Sequence, residues 1–329
     1  MTGLDVVDRA LLERLQVEFP LTPQPFQTLG KILGLSEAEV LSRVRRLKEE
    51  ALIRQIGAIF DTRRLGYQTT LVAFRVDEEA LEEVAVRISA HPGVSHNYAR
   101  NHHYNLWFTL AIPPDQNLDD EIRRLAALTD VDDWLHLPAL RTFKIKTHFR
   151  LTADAVDDSP ASRSEPRLPG RDFAPDDIPY VRALQQDLPL TQRPFARVAA
   201  EAGLLEDGLL EKARELKAAG IIRRFAAVLR HRQVGFAANG MCCWVVPDSR
   251  IEEVGRLAAS LPQVSHCYQR PAYPSWPYTL FTMIHGQSPE EVEGTVNRIA
   301  ESSGISDYRI LYSTREFKKE RVRYFEEER

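Results

Sequence analysis

The chain has 329 residues, 43% of them hydrophobic and 27% charged, which is the composition of a folded protein large enough for two or more domains. It excludes a largely disordered, collagen-like or coiled-coil chain, and no apolar run approaches the roughly 20 residues that cross a bilayer. A net charge of -4 gives no overall basic field for holding nucleic acid.

Leu4, Val7, Leu11 and Leu15 recur with helical period. The same stretch carries Asp5, Asp8 and Glu13 where a secretion or transit signal needs a basic start and unbroken apolar residues, so a cytoplasmic protein is expected. Pro25 suits the first turn of a second helix carrying Phe26, Leu29 and Ile32. Ser36-Glu37-Ala38-Glu39 is a capping-box pattern that opens a third helix, with Val40, Leu41, Val44 and Leu47 facing inward. Ile53 to Ile59 reads as a strand or wing, which makes this unit a winged helix-turn-helix. Thr69 to Val76 then reads as a strand, Glu78 to Ser89 as a helix and His91-Pro92-Gly93 as a turn. Val94 to Arg100 and Asn105 to Ile112 read as strands, Leu118 to Leu128 as a helix, and Trp134 to Lys144 ends in a strand. The order β-α-β-β-α-β is ferredoxin-like.

The chain then repeats itself. F-P-L-T-P-Q-P-F (Phe19 to Phe26) returns as L-P-L-T-Q-R-P-F (Leu188 to Phe195). V-S-H-N-Y-A-R (Val94 to Arg100) returns as V-S-H-C-Y-Q-R (Val264 to Arg270), and R-T-F-K (Arg141 to Lys144) as R-E-F-K (Arg315 to Lys318). Between the copies lies a Pro- and Asp-rich stretch with the composition of an extended linker. The expected fold class is therefore α+β, a tandem duplication forming an internal pseudo-dimer. Its units are a winged helix at 1–66, a ferredoxin-like domain at 67–150, a linker at 151–179, a second winged helix at 180–235 and a second ferredoxin-like domain at 236–329. Three cysteines, Cys242, Cys243 and Cys267, give no C-x-x-C pair and too few thiolates for an iron–sulfur cluster held by this chain alone.

A winged helix followed by this α/β unit resembles the Lrp/AsnC regulators, in which two subunits pair through their sheets. Three further segments go beyond that architecture: R-N-H-H-Y-N-L-W-F-T (Arg100 to Thr109), L-R-H-R-Q-V-G-F-A-A-N-G-M (Leu229 to Met241) and R-P-A-Y-P-S-W-P-Y-T-L-F-T-M-I-H-G (Arg270 to Gly286). They resemble the two homologous subunit types of siroheme decarboxylase, here joined in one chain. The resemblance implies a carboxy-lyase that removes the C12 and C18 acetate carboxyl groups of sirohaem, in haem d1 or alternative haem biosynthesis. It implies no cofactor beyond the iron of the substrate, and a tetrapyrrole as the partner.

Such a substrate calls for cations against its carboxylates, aromatic or apolar walls for its faces, and an acid for the carbon that loses CO2. His102 falls on the histidine of the family pattern and is the principal candidate, as axial iron ligand or proton donor; His103 is its neighbour and His231 the second-half candidate. Arg100 and Arg270 are the expected carboxylate clamps, with Lys144 and Arg315 as further cations. Tyr104, Trp107, Tyr273 and Trp276 are the expected tetrapyrrole walls, with ordinary core packing as the competing role. His96 and His266 match each other and read as shared structure.

A transcription regulator or a haem-sensing regulator is the rival class. Arg43, Arg45 and Arg46 on the third helix suit phosphate, but its counterpart carries Glu206, Asp207, Glu211 and Glu215, which repel a DNA backbone. DNA and membrane are therefore not expected partners. The two halves are expected to pair with each other, with room for further oligomerisation.

Overall fold

The structure, a computed structural model, describes residues 4–145, 172–229 and 238–326. The first half opens with α1 (Val6–Val17), α2 (Pro25–Leu33) and α3 (Glu37–Glu49), followed by β1 (Ile53–Phe60). Asp5 and Asp8 close a capping box at α1. Pro25 opens α2, and Gly34 ends it at φ 70°, a left-handed conformation glycine takes without strain. Ser36 caps α3 by accepting from the Glu39 N–H. Next come β2 (Gln68–Phe74), α4 (Leu81–Ala90), β3 (Val94–Arg100), β4 (Leu106–Ile112), α5 (Leu118–Leu128), β5 (Trp134–Pro138) and β6 (Arg141–Ile145). The second half repeats the series as α6 (Ile178–Leu184), α7 (Pro194–Glu201), α8 (Glu206–Ala218), β7 (Ile222–Leu229), β8 (Ala238–Trp244), α9 (Ile251–Ser260), β9 (Val264–Gln269), β10 (Leu280–Gly286), α10 (Pro289–Ser303) and β11 (Tyr308–Lys319).

Two pairings tie the halves together. β1 does not fold back as a wing within its own half; it pairs antiparallel with β7. A single strand leaves its backbone groups unmet, and the repeat supplies a matching strand across the pseudo-twofold axis. All other strands form one sheet in the order β5-β2-β4-β3-β11-β8-β10-β9-β6. Its first four strands belong to the first half, but β11 of the second half lies against β3, and β6 of the first half lies against β9. Trp134 to Lys144, expected to end in one strand, is two: β5 stays at home and β6 crosses over. β11 does the same in one piece, Tyr308–Tyr312 pairing with β8 and Ser313–Lys319 with β3.

The hydrogen bonds repeat this reciprocity. Phe19 N–H donates to Phe225 O (2.9 Å) and Leu188 N–H to Ile56 O (2.8 Å). Lys48 pairs with Asp187 and Lys217 with Glu18. Phe19, Phe26, Phe195 and Phe225 meet edge-on or tilted at 5.5–6.5 Å in one core shared by both winged helices. Each ferredoxin-like unit has its own core beneath its helices. A fourth core, with Ala73, Trp107 and Leu137 from one half and Met241, Trp276 and Leu311 from the other, fills the space where the helix-free sheet faces meet. No helix among the described residues is long and apolar enough to cross a membrane.

Candidate functional site

Alternation along β3 and β9 sorts their side chains between two faces. Asn97 donates to Ala85 O on α4 (3.0 Å), and Cys267 lies 3.6 Å from Gly255 O on α9, so these positions face the helices. His96, Tyr98 and Arg100, and likewise His266, Tyr268 and Arg270, therefore line the inner face. Each triplet forms a ladder. The His96 and Tyr98 rings lie 6.2 Å apart and Arg100 stands 5.8 Å from the Tyr98 ring. In the other half the distances are 6.0 Å (His266 to Tyr268) and 4.9 Å (Arg270 to Tyr268).

The arginines of the ladders are set deep. Arg100 is buried and donates to Leu311 O of the opposite half (2.9 Å), while Arg270 donates to Leu137 O. The Nε atom of each is buried without a partner, and neither makes an ion pair among the described residues. Burial pulls both guanidinium groups down to about 10. A carbonyl tie alone needs only a neutral donor; a buried guanidinium without a carboxylate is costly unless something anionic joins it.

The histidines sit at the other end of the ladders, where the charge of Arg54 on β1 acts on His96. Burial holds both near 4. Lys319, Arg54 and His266 add to it at His96, and Arg270 adds to it at His266. Lys319 is the register partner of His96. Each imidazole Nδ1 meets the preceding serine, Ser95 at 2.9 Å and Ser265 at 2.8 Å. Ser265 continues to His285 Nε2 (2.6 Å), whose Nδ1 meets Asn239 Oδ1 (2.5 Å). This face is cationic and polar, with its imidazoles kept neutral.

The motif residues lie at the opposite end. His102 and His103 occupy the loop between β3 and β4. His102 Nδ1 accepts from Tyr104 N–H (3.2 Å), and its ring meets Trp276 edge-on at 5.3 Å. His103 is exposed, 3.4 Å from Asp133. Tyr104 is buried; its hydroxyl donates to Asp133 (2.9 Å) and lies 3.0 Å from the Ser275 hydroxyl. Trp107 and Trp276 are fully buried with Tyr104 in the fourth core, Trp107 donating to Tyr104 O (2.7 Å). Tyr273 donates to His136 O. These rings are occupied with packing, the role that competed with wall-lining. Lys144 donates to Leu261 O beyond α9, and Arg315 pairs with Glu82 on α4, so both are directed to helices. His231 lies outside the described residues.

The structure thus puts Arg100 and Arg270 on one face with His96 and His266, and puts His102 on the loop that follows Arg100, its N–H donating to Arg100 O (2.9 Å). His96 and His266 carry a signal that sequence reasoning set aside: the H-x-Y-x-R spacing places three polar groups on one strand face, twice. Among the described residues, no three His, Cys, Asp or Glu converge on a metal position.

Two helix-turn-helix units joined by a shared two-stranded ribbon, two strand-exchanged α/β domains and a cationic inner face define a duplicated ligand-binding protein of Lrp/AsnC architecture. Comparison with known families agrees: residues 64–144 and 233–318 match the AsnC-like ligand binding domain, and residues 8–54 and 180–223 match the siroheme decarboxylase NirDL-like HTH domain. The chain is 41% identical to siroheme decarboxylase of Hydrogenobacter thermophilus, covering 97% of this chain and 95% of that one. The siroheme decarboxylase beta subunit of Methanosarcina barkeri is 48% identical over 45% of this chain and 97% of its own length. The crystal structure of siroheme decarboxylase NirDL in co-complex with an iron-uroporphyrin III analogue superposes with a TM-score of 0.75 at 39% identity, covering 97% of this chain and 94% of that one. The chain belongs to the siroheme decarboxylase family, which makes it a carboxy-lyase.

Proposed function

We propose that this chain binds sirohaem between its halves and removes the C12 and C18 acetate carboxyl groups without oxidation, giving didecarboxysirohaem for haem d1 or a related haem. The observation that carries this reading is the pair of inward arginines, Arg100 and Arg270, which face no carboxylate of their own. A polycarboxylate ring supplies that charge.

Each turnover converts R–CH2–COO⁻ and H⁺ into R–CH3 and CO2. The electron pair left on the side-chain carbon spreads into the macrocycle before a proton reaches it. His96 and His266 are the proposed proton donors. They are neutral in the empty protein, and substrate carboxylates beside them reverse the local field and favour the imidazolium. Binding therefore loads the acid that the reaction consumes. Tyr98 and Tyr268 are the proposed flat contacts between acid and clamp.

The sequence motif favours His102 in the same role, at the other end of β3. Paired variants separate the two. His96→Gln is expected to lower turnover at least a hundredfold while His102→Gln keeps most of it; the reverse result moves the chemistry to the β3–β4 loop.

The reaction itself is tested by anaerobic incubation with sirohaem and mass spectrometry of the tetrapyrrole. A loss of roughly 88 Da, two CO2 units, is expected. Tight binding without mass change would favour the sensor reading instead.

A further inference from the structure

Among the described residues, the cations that act on the two ladder histidines differ: Lys319 and Arg54 at His96, Arg270 at His266. Lys319 on β11 faces His96, but the corresponding partner of His266 on β6 is Ile145. After β11 the chain turns back over the ribbon as a strap, residues 320–326. Glu320 N–H donates to Ser95 O (2.6 Å), Tyr324 N–H to Gln185 Oε1 (2.7 Å) and Phe325 N–H to the Tyr67 hydroxyl (2.6 Å). The Tyr324 and Thr62 hydroxyls are 2.7 Å apart, and Phe325 stacks on Phe173 at 5.2 Å. These contacts fasten the strap to both halves.

What the strap holds in place is Arg321. Its Nη1 donates to Ala58 O on β1 (3.2 Å), and it makes no ion pair among the described residues. Burial, then the charges of Arg224 and Arg54, pull it down to about 10. Asp187, the carboxylate that favours its charge, already takes Lys48 and the Ile56 N–H. A fixed, half-buried guanidinium that faces cations is unfavourable until an anion arrives.

We propose that Arg321, with Arg54 and Lys319, forms a carboxylate subsite on the His96 side, holding acetate or propionate groups at the rim of the tetrapyrrole and so fixing which way round the ring enters. The proposal rests on the tetrapyrrole reading above and adds an orientation to it. One half binds the rim through the strap; the matching position in the other half is apolar at Ile145.

The test titrates full-length protein with iron uroporphyrin III, which carries eight carboxylates, and with protohaem, which carries two. Arg321→Gln is expected to weaken iron uroporphyrin binding about tenfold, as loss of one charge-assisted contact does. Protohaem binding should change less than twofold. Arg321→Lys should recover part of the loss, and sirohaem turnover should show a raised KM with little change in kcat. Arg54→Gln, on a different element, repeats the measurement if Arg321→Gln does not fold. Folded variants at both positions that bind iron uroporphyrin like the parent overturn the subsite. A parent protein that leaves sirohaem intact, while Arg321→Gln still loses iron uroporphyrin affinity, overturns the decarboxylase reading and leaves the subsite standing.

Discussion

A side chain that destabilises the empty protein carries a recognisable signature when it is removed. Arg100 is buried with an unpartnered Nε and no carboxylate. Arg100→Met deletes one bond to Leu311 O but also an uncompensated charge. We expect its thermal midpoint to stay level or rise, while iron uroporphyrin affinity falls at least tenfold. A large drop in midpoint with unchanged affinity would make Arg100 a structural tie between the halves. His96 and His266 give a pH signature of the same kind. Both titrate near 4 in the fold against an ordinary 6.5. Between those values the unfolded chain holds more protons, so their contribution is complete above about pH 6.5 and is lost as pH falls through 4. The thermal midpoint of the parent should fall faster from pH 6.5 to pH 4.5 than that of a His96→Gln/His266→Gln double variant. Parallel curves would assign the acid sensitivity to other groups. Much of this was open to sequence reading: the arginines were singled out by their repetition, and Tyr104, Trp107 and Trp276 by their motif. For His96 and His266 the repetition reads equally well as shared structure, so repetition by itself does not separate the proposed role from that one. Strand period puts these histidines on the arginines' face; it does not show that β11 and β1 bring Lys319 and Arg54 to His96.

At the scale of elements, the exchanged strands depend on small residues. Phe143 on β6 lies over Gly255 of α9, where a Cβ would come within 2.5 Å of the ring. Gly255→Ala forces either ring or strand to move, an overpacking cost of about 1–3 kcal/mol. It should lower the thermal midpoint and speed amide exchange in β6 more than in β5; uniform exchange would mean that the crossing strand does not depend on this contact. The elements themselves were legible, because caps, proline positions and periodicity are local signals. Partners were not. β1 carries a strand pattern, but nothing in Ile53 to Ile59 says that its neighbour lies in the other copy. The break that divides Trp134 to Lys144 into β5 and β6 is equally silent in composition. α3 shows a further local commitment: Arg43 and Arg46 are taken by Asp5, Asp8, Glu39 and Glu50, so two of the three arginines that suited phosphate are held within the winged helix.

At the scale of the whole molecule, β6 and β11 each complete the other half's part of the sheet, so neither half holds its full set of strands alone. Residues 1–150 and 172–329, produced together as separate chains, should assemble one-to-one and bind iron uroporphyrin; each alone should aggregate or remain partly unfolded. Stable, separately binding halves would show that the exchange is dispensable. The relative that spans 45% of this chain is itself named as a beta subunit, which is consistent with assembly from parts.

The contrast between Lys319 and Ile145 has a consequence for how such a protein can change. In a dimer of identical subunits, every mutation is made twice, and a strap that helps one side must also be tolerated on the other. Joining two copies in one chain lifts that constraint. Each position can then be selected by itself, and a site that began as two equivalent halves can become two different ones.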